Sequence, residues 1–401
     1  MNRAPSARLL AFAAVVASGG ASFAEEAPPN ASTSLENKRR MEPRTAAPTR
    51  AEEPAPDPTP RGRLTIDPEL SRAADKLLEL AHPVQGAIVA IDLKTRRILT
   101  WAERRHGGAP GSVLTTARVP AASVFKLITS AALLETGAAN LNDRVCVSGG
   151  IRRIERQHLE EPHGEGIQCG SFSQALGHSR NAVFAQLATA RLARKDLLDV
   201  AERLGFNQSV PFDWPVPVGQ LDVPYNDLEF ARTAAGFRGS TLSPLGAAYL
   251  ASIVADGGLS RPLRLFEAEA TEPALPLELA PALRVLSATT AWRLTRMMEV
   301  TTHSGTCRQV FSDDQGKPYL PNIRVAGKTG TLRPESREET TSWFIGFAPS
   351  REPRIALSVM LENGVVWRRK AAEVARDYLR VYFKRQGARS VSDPFGDPAR
   401  P

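Results

Sequence analysis

The chain has 401 residues, 42% hydrophobic and 23% charged, the composition of a globular protein long enough for one large domain or two ordinary ones. Its net charge is +8 and its pI about 9.7. The basic residues are scattered and no base-reading motif accompanies them, so nucleic acid is excluded as the expected partner; an acidic envelope or polymer surface fits the charge.

Arg3 and Arg8 precede a short apolar run, residues 9–17, which Ser18-Gly19-Gly20 interrupts. Ser22-Phe23-Ala24 then places small residues where a signal peptidase cuts, so residues 1–24 are expected to be a cleaved secretory signal. The run is shorter than the roughly 20 residues a bilayer span requires. No second apolar stretch of that length occurs, and no integral membrane domain is expected after cleavage. Export predicts a location in the periplasm or on the extracellular side of the cell envelope.

Residues 25–63 are rich in Pro, Ala, Glu, Arg and Thr without an apolar period and read as a disordered linker. Residues 388–401 read as a similar tail, and residues 64–387 as one continuous globular region. There, Asp67 and Pro68 predict a helix start, with Leu70, Ala74, Leu77 and Leu78 on its apolar face. Residues 86–91 and 98–101, separated by a polar turn at 94–96, predict a hairpin. Helical composition follows over 122–135, 181–192, 195–204, 244–255 and 290–300. Ser243-Pro244 and Gly257-Gly258 bracket the fourth of these. Strand-like segments at 324–331, 341–347 and 355–361 come late, and a basic amphipathic helix over 371–384 closes the domain. The order predicts an α+β fold: an antiparallel sheet built from both chain ends, flanked by helices, with an inserted all-helical subdomain.

Cysteines occur at 146, 169 and 307. In an oxidising compartment Cys146 and Cys169, which flank a polar Gly-rich stretch, are the candidate disulfide, leaving Cys307 odd and buried; three free thiols is the alternative. His163 with Cys169 is too sparse for a metal site, and neither metal nor cofactor is expected.

Three short patterns carry chemistry. In Ser123-Val124-Phe125-Lys126 a serine and a lysine three apart share a helix face, and a lysine kept neutral by burial or a like charge can take the serine's proton. Ser179-Arg180-Asn181 stands at a helix start, where serine often only caps; its hydroxyl could instead relay a proton. Lys328-Thr329-Gly330-Thr331 on a late strand offers a positive charge, two hydroxyl donors for a carboxylate and a glycine that admits a ligand backbone. Each pattern alone is weak. A Gly-x-Ser-x-Gly elbow is absent; Gly177-His178-Ser179-Arg180-Asn181 fails at its last position.

Together, and in this order, Ser-x-x-Lys, Ser-x-Asn and Lys-Thr-Gly resemble the penicillin-recognising serine enzymes. Residues 119–126, Gly236-Phe237-Arg238-Gly239 with Leu242-Ser243-Pro244-Leu245, Val300-Thr301 with Gly305-Thr306, and residues 343–349 are similar to segments of the penicillin-binding transpeptidases. The similarity covers about residues 86–383, and the pedestal or glycosyltransferase domain of the large members has no counterpart in it.

The resemblance implies a β-lactamase/transpeptidase-like fold and a serine D,D-transpeptidase acting on D-Ala-D-Ala peptidoglycan stem peptides and captured by β-lactams. It implies Ser123 as nucleophile, Lys126 as base, and Ser179 as proton relay held by Lys328. Asn181 would contact the substrate amide, and Thr329, Gly330 and Thr331 would line the carboxylate site. The backbone N–H groups of Ser123 and Thr331 would form the oxyanion hole.

A D,D-carboxypeptidase and a class D-like β-lactamase stay open. No Glu-x-x-Leu-Asn follows Asn181 to suggest a class A β-lactamase, and class D second motifs usually end in Val rather than Asn. A non-catalytic β-lactam-binding or sensor domain is the alternative of another class, and the linker could tether the domain to other cell-wall proteins.

Overall fold

The computed structural model describes residues 62–106, 112–164, 166–213, 216–267, 282–334 and 338–392. The expected signal, nearly all of the linker and residues 393–401 of the tail lie outside the described residues.

Helix α1 (Pro68–Ala81) starts where Asp67 accepts hydrogen bonds from the N–H groups of Glu69 (3.0 Å) and Leu70 (3.2 Å), an N-cap that satisfies donors the helix itself cannot. The hairpin β1 (Gln85–Asp92) and β2 (Ile98–Arg105) follows. A long excursion then runs through β3 (Val119–Pro120), a 3-10 turn (Ala122–Val124), α2 (Lys126–Glu135), β4 (Arg144–Val147), a second 3-10 turn (Arg156–Leu159) and β5 (Gln168–Ser171). It continues through α3 (Phe172–Gly177), α4 (Asn181–Arg191), α5 (Arg194–Arg203), β6 (Gly219–Leu221), α6 (Asp227–Ala234), β7 (Ser240–Leu242) and α7 (Pro244–Ala255). After β8 (Leu259–Ser260), β9 (Leu283–Arg284), α8 (Ala288–His303) and α9 (Arg308–Phe311), the chain returns with β10 (Ala326–Leu332), β11 (Thr340–Ala348), β12 (Ile355–Asn363) and α10 (Ala371–Ser392).

The main sheet has the order β10-β11-β12-β1-β2 and is antiparallel throughout. Its central pairing joins the two chain ends, from Gln85↔Glu362 to Asp92↔Ile355. Both faces are covered. Ala87, Val89 and Ile91 face the core shared with the inserted region, while Ile88 and Ala90 face the core built with α1 and α10. Every residue of β12 is therefore buried, and from Ile355 to Leu361 its sequence is apolar on both faces except at Ser358.

The inserted region, expected to be all-helical, also carries three small ribbons, β3-β7-β6, β4-β5 and β8-β9. Strands of two to four residues are too short to show a period in sequence. In the β4-β5 ribbon Cys146 and Cys169 are register partners joined by a disulfide, S–S 2.05 Å. A cross-link closing a loop of 23 residues contributes about 3 kcal/mol on the chain-entropy account. Cys307 is buried and free. At the far end, α10 runs to Ser392; Gly387 lies within it and is not a left-handed stop.

Candidate active site

The segment expected as one helix over 122–135 is divided. Ser123 lies in the 3-10 turn and Lys126 opens α2. The spacing still works, because residues three apart eclipse one another in a 3-10 turn, and Lys126 Nζ lies 2.6 Å from Ser123 Oγ. The break begins at Ala122, whose φ of 49° is left-handed, a conformation that costs a residue with a Cβ roughly 1–2 kcal/mol. Its surroundings hold it there. Ala121 N–H donates to Ser240 O (3.1 Å) and the Trp343 indole donates to Pro120 O (2.9 Å). Gly236, φ 82°, stops α6 directly against this turn, and a Cβ at Gly236 would come within 2.2 Å of Ala122 O.

Ser179 does not cap a helix. The N-cap of α4 is Arg180, without a side-chain bond. Ser179 instead terminates α3: its N–H donates to Leu176 O (3.0 Å) and that of Arg180 to Ala175 O (2.9 Å). This is the bonding of a Schellman stop, whose left-handed position usually holds glycine. Here the position is a serine with φ 55°. Its hydroxyl sits between two amines, 3.3 Å from Lys126 Nζ and 3.1 Å from Lys328 Nζ.

Asn181, at the start of α4, has both ends of its carboxamide engaged. Oδ1 accepts from Lys126 Nζ, and Nδ2 donates to Ile151 O at 2.6 Å. The expected contact with a substrate amide falls to its second N–H and the remaining lone pair.

Lys328 comes from β10, an edge strand of the sheet, one side of whose backbone has no strand partner among the described residues, the kind of edge to which an extended ligand can add. Gly330 lets this strand lie beside the serine turn: a Cβ there would be 3.3 Å from both Ala121 O and Ala122 Cβ. Lys328 Nζ also donates to Thr329 O (2.7 Å). Thr329 is half-buried and Thr331 exposed. The structure thus brings Ser123, Lys126, Ser179, Asn181 and Lys328 into one connected cluster, with Thr329, Gly330 and Thr331 on the adjoining edge.

Both lysines are fully buried, and among the described residues their amines meet hydroxyl, amide and backbone oxygens, not carboxylates. Burial disfavours the charged amine. It holds Lys126 well below the usual lysine range, with the charge of Lys328 pushing the same way, and brings Lys328 down to about 7. The neighbouring Cys307 thiol, pushed up by burial to about 12, is uncharged at neutral pH. The cluster therefore favours a neutral Lys126 beside the serine, a proton acceptor in place.

The same burial predicts a stability effect. A lysine titrating near 7 in the folded chain and near 10.5 when unfolded opposes folding fully below about pH 7, and progressively less as pH rises towards 10.5. Lys328→Met is expected to raise the melting temperature at pH 7 while lowering activity, with the gain shrinking as pH rises towards 10. Melting curves across that range check this; a variant less stable than the parent at pH 7 contradicts it.

A cavity of about 290 Å³ adjoins the cluster, walled by Gly149, Gly150, Ile151, His178, Ser179 and Asn181. A larger one, about 850 Å³, lies between α8, α9 and residues 312–325 and touches no residue of the three motifs. Among the described residues no group of three or more His, Cys, Asp or Glu is placed to hold a metal ion.

The sequence profile described as the penicillin binding protein transpeptidase domain matches residues 86–380. Among curated relatives, the peptidoglycan D,D-transpeptidase PbpA of Mycobacterium tuberculosis is 27% identical over 341 residues, covering 75% of this chain and 67% of its own length. Among solved structures, the D,D-transpeptidase domain of a peptidoglycan glycosyltransferase from Eggerthella lenta superposes with a TM-score of 0.67 at 22% identity, covering 82% of this chain and 84% of that one. An imipenem acyl-enzyme complex of penicillin-binding protein A from M. tuberculosis gives 0.65 at 22% identity, covering 80% and 79%. These structural likenesses establish the α+β transpeptidase fold.

Proposed function

The chain belongs to the penicillin-binding protein transpeptidase domain family, and from that premise we propose that it is an exported serine D,D-transpeptidase. Its substrates are the D-Ala-D-Ala ends of peptidoglycan stem peptides, and β-lactams capture it covalently at Ser123. The enzyme class rests on the family match and on relatives named for this activity. The observation that carries the mechanism is the 2.6 Å separation of Ser123 Oγ from a buried, neutral-favouring Lys126 amine.

In this reading Ser123 Oγ attacks the carbonyl between the two D-alanines as its proton passes to Lys126 Nζ. The developing oxyanion meets the backbone N–H groups of Ser123 and Thr331, preorganised donors worth about 3 kcal/mol each. The C–N bond then breaks. The proton travels from Lys126 through the Ser179 hydroxyl to the departing amine, and terminal D-alanine leaves. Lys328 fixes Ser179, and the hydroxyls of Thr329 and Thr331 hold the terminal carboxylate. An acceptor amine attacks the Ser123 ester, its proton returns by the reverse path to Ser123 Oγ as the ester C–O bond breaks, and the new amide is the cross-link. In a β-lactam the leaving amine stays tethered to the acyl group, so the ester persists.

One observation weighs against a class D-like β-lactamase. A carboxylated Lys126 would have to displace the contacts its amine makes with Ser123, Ser179 and Asn181. The site lies outside the cytoplasm in this reading, with residues 1–24 a cleaved signal and residues 25–63 a tether through which other cell-wall proteins could be met.

The test is labelled penicillin followed by product analysis with a D-amino-acid acceptor. Expected are a Ser123 adduct lasting hours and, from a D-Ala-D-Ala peptide, a transfer product. Deacylation within seconds would indicate a β-lactamase, hydrolysis alone a carboxypeptidase, and an adduct without peptide turnover a sensor.

A further inference from the structure

The turn after α8 touches both sides of the cleft, yet the mechanism above gives it no part. Thr306 Oγ1 lies 2.9 Å from Thr329 Oγ1, at the exposed end of the cluster. The Thr306 backbone N–H donates to Gly177 O (3.1 Å), two residues before Ser179. We propose that Thr306 is a positioning residue for the substrate's terminal carboxylate, donating its hydroxyl to Thr329 Oγ1 so that the Thr329 proton is left facing that carboxylate. The inference rests on the transpeptidase reading.

Proton counting sets the direction. A carboxylate has no proton to give, so Thr329 must be the donor to it. The Thr329 oxygen then accepts, and Thr306 is the donor in reach. The two hydroxyls donate in sequence towards the accepting carboxylate, and each bond polarises the next.

Thr306 is also held more firmly than an exposed threonine usually is. Gly305 and Gly177 meet so closely that a Cβ on Gly305 would lie 2.2 Å from Gly177 O, and one on Gly177 would lie 2.3 Å from Val300 Cγ1. Gly305 N–H donates to Val300 O (2.7 Å), Cys307 N–H to Thr301 O (2.9 Å) and Thr302 Oγ1 to Val325 O (2.6 Å). The end of α8 is thereby tied to β10 on one side and to the Ser179 turn on the other. Thr306 links the group that holds the carboxylate to the group that relays the proton.

The experiment compares acylation of the full chain by a thioester acyl donor bearing a free terminal carboxylate and by its methyl ester. Thr306→Val keeps the side-chain shape and removes the hydroxyl. It is expected to slow the carboxylate form about fivefold, through weaker binding rather than a slower chemical step, while the methyl ester stays within about twofold. Thr306→Ser is expected to restore the parent rate. Equal slowing of both donors, no slowing of either, or failure of the serine variant to recover overturns the proposal. A parent protein that forms the Ser123 adduct without preferring the free carboxylate overturns it too, and leaves the transpeptidase reading standing. A parent that forms no adduct removes that reading, and this one with it.

Discussion

Ser123→Ala is expected to abolish covalent capture of penicillin and to lower peptide turnover by at least about 10⁴-fold, because loss of a nucleophile leaves only binding and oxyanion stabilisation. The fold should persist. Ser123 is half-buried and its hydroxyl bonds to Lys126 Nζ, whereas the turn around it is held by backbone, Trp343 and Gly236. Intact-mass measurement after incubation with penicillin, alongside a melting curve, separates the outcomes. A folded Ser123→Ala protein that still gains the mass of the drug would remove Ser123 from the mechanism.

The second large effect belongs to Lys126→Met. A positioned general base is worth about 10²–10⁴ in rate, so acylation should fall by roughly a thousandfold, with the nucleophile still present. The pH profile is the sharper readout. In the parent, acylation should fall as pH drops through the depressed pKa of Lys126, since the protonated amine cannot take the serine's proton. The methionine variant should lack that acid limb. Lys126 and Lys328 share Ser179 as a bridge, so the parent's apparent values belong to the pair and not to either amine alone. An unchanged acid limb in Lys126→Met would assign the titration to another group.

Much of the scaffold was legible in the sequence where burial is continuous. Strands β1 and β12 and helix α7 announce themselves by apolar runs, and α1 and α7 by the caps Asp67 and Ser243. The short elements were not. Helix α3 is six residues long with three buried apolar side chains, too little for a period, yet it decides how Ser179 is presented. The three motifs could be read because each is contiguous. What shapes them is distant in sequence: Gly236 under Ala122, Ile151 O holding Asn181, Thr306 beside Thr329. Such contacts leave no local pattern. The capping interpretation of Ser179 failed for the same reason, because the αL geometry comes from the helix before it and not from the one after.

The pairing of Gln85 with Glu362 has a kinetic consequence. Strand β1 waits for a neighbour made almost three hundred residues later, and closing so long a loop precedes any reward from the contacts it brings. Until β12 is available the first hairpin has one flank uncovered, so the main sheet cannot close before all of the intervening chain, Ser123 and Ser179 included, has been made.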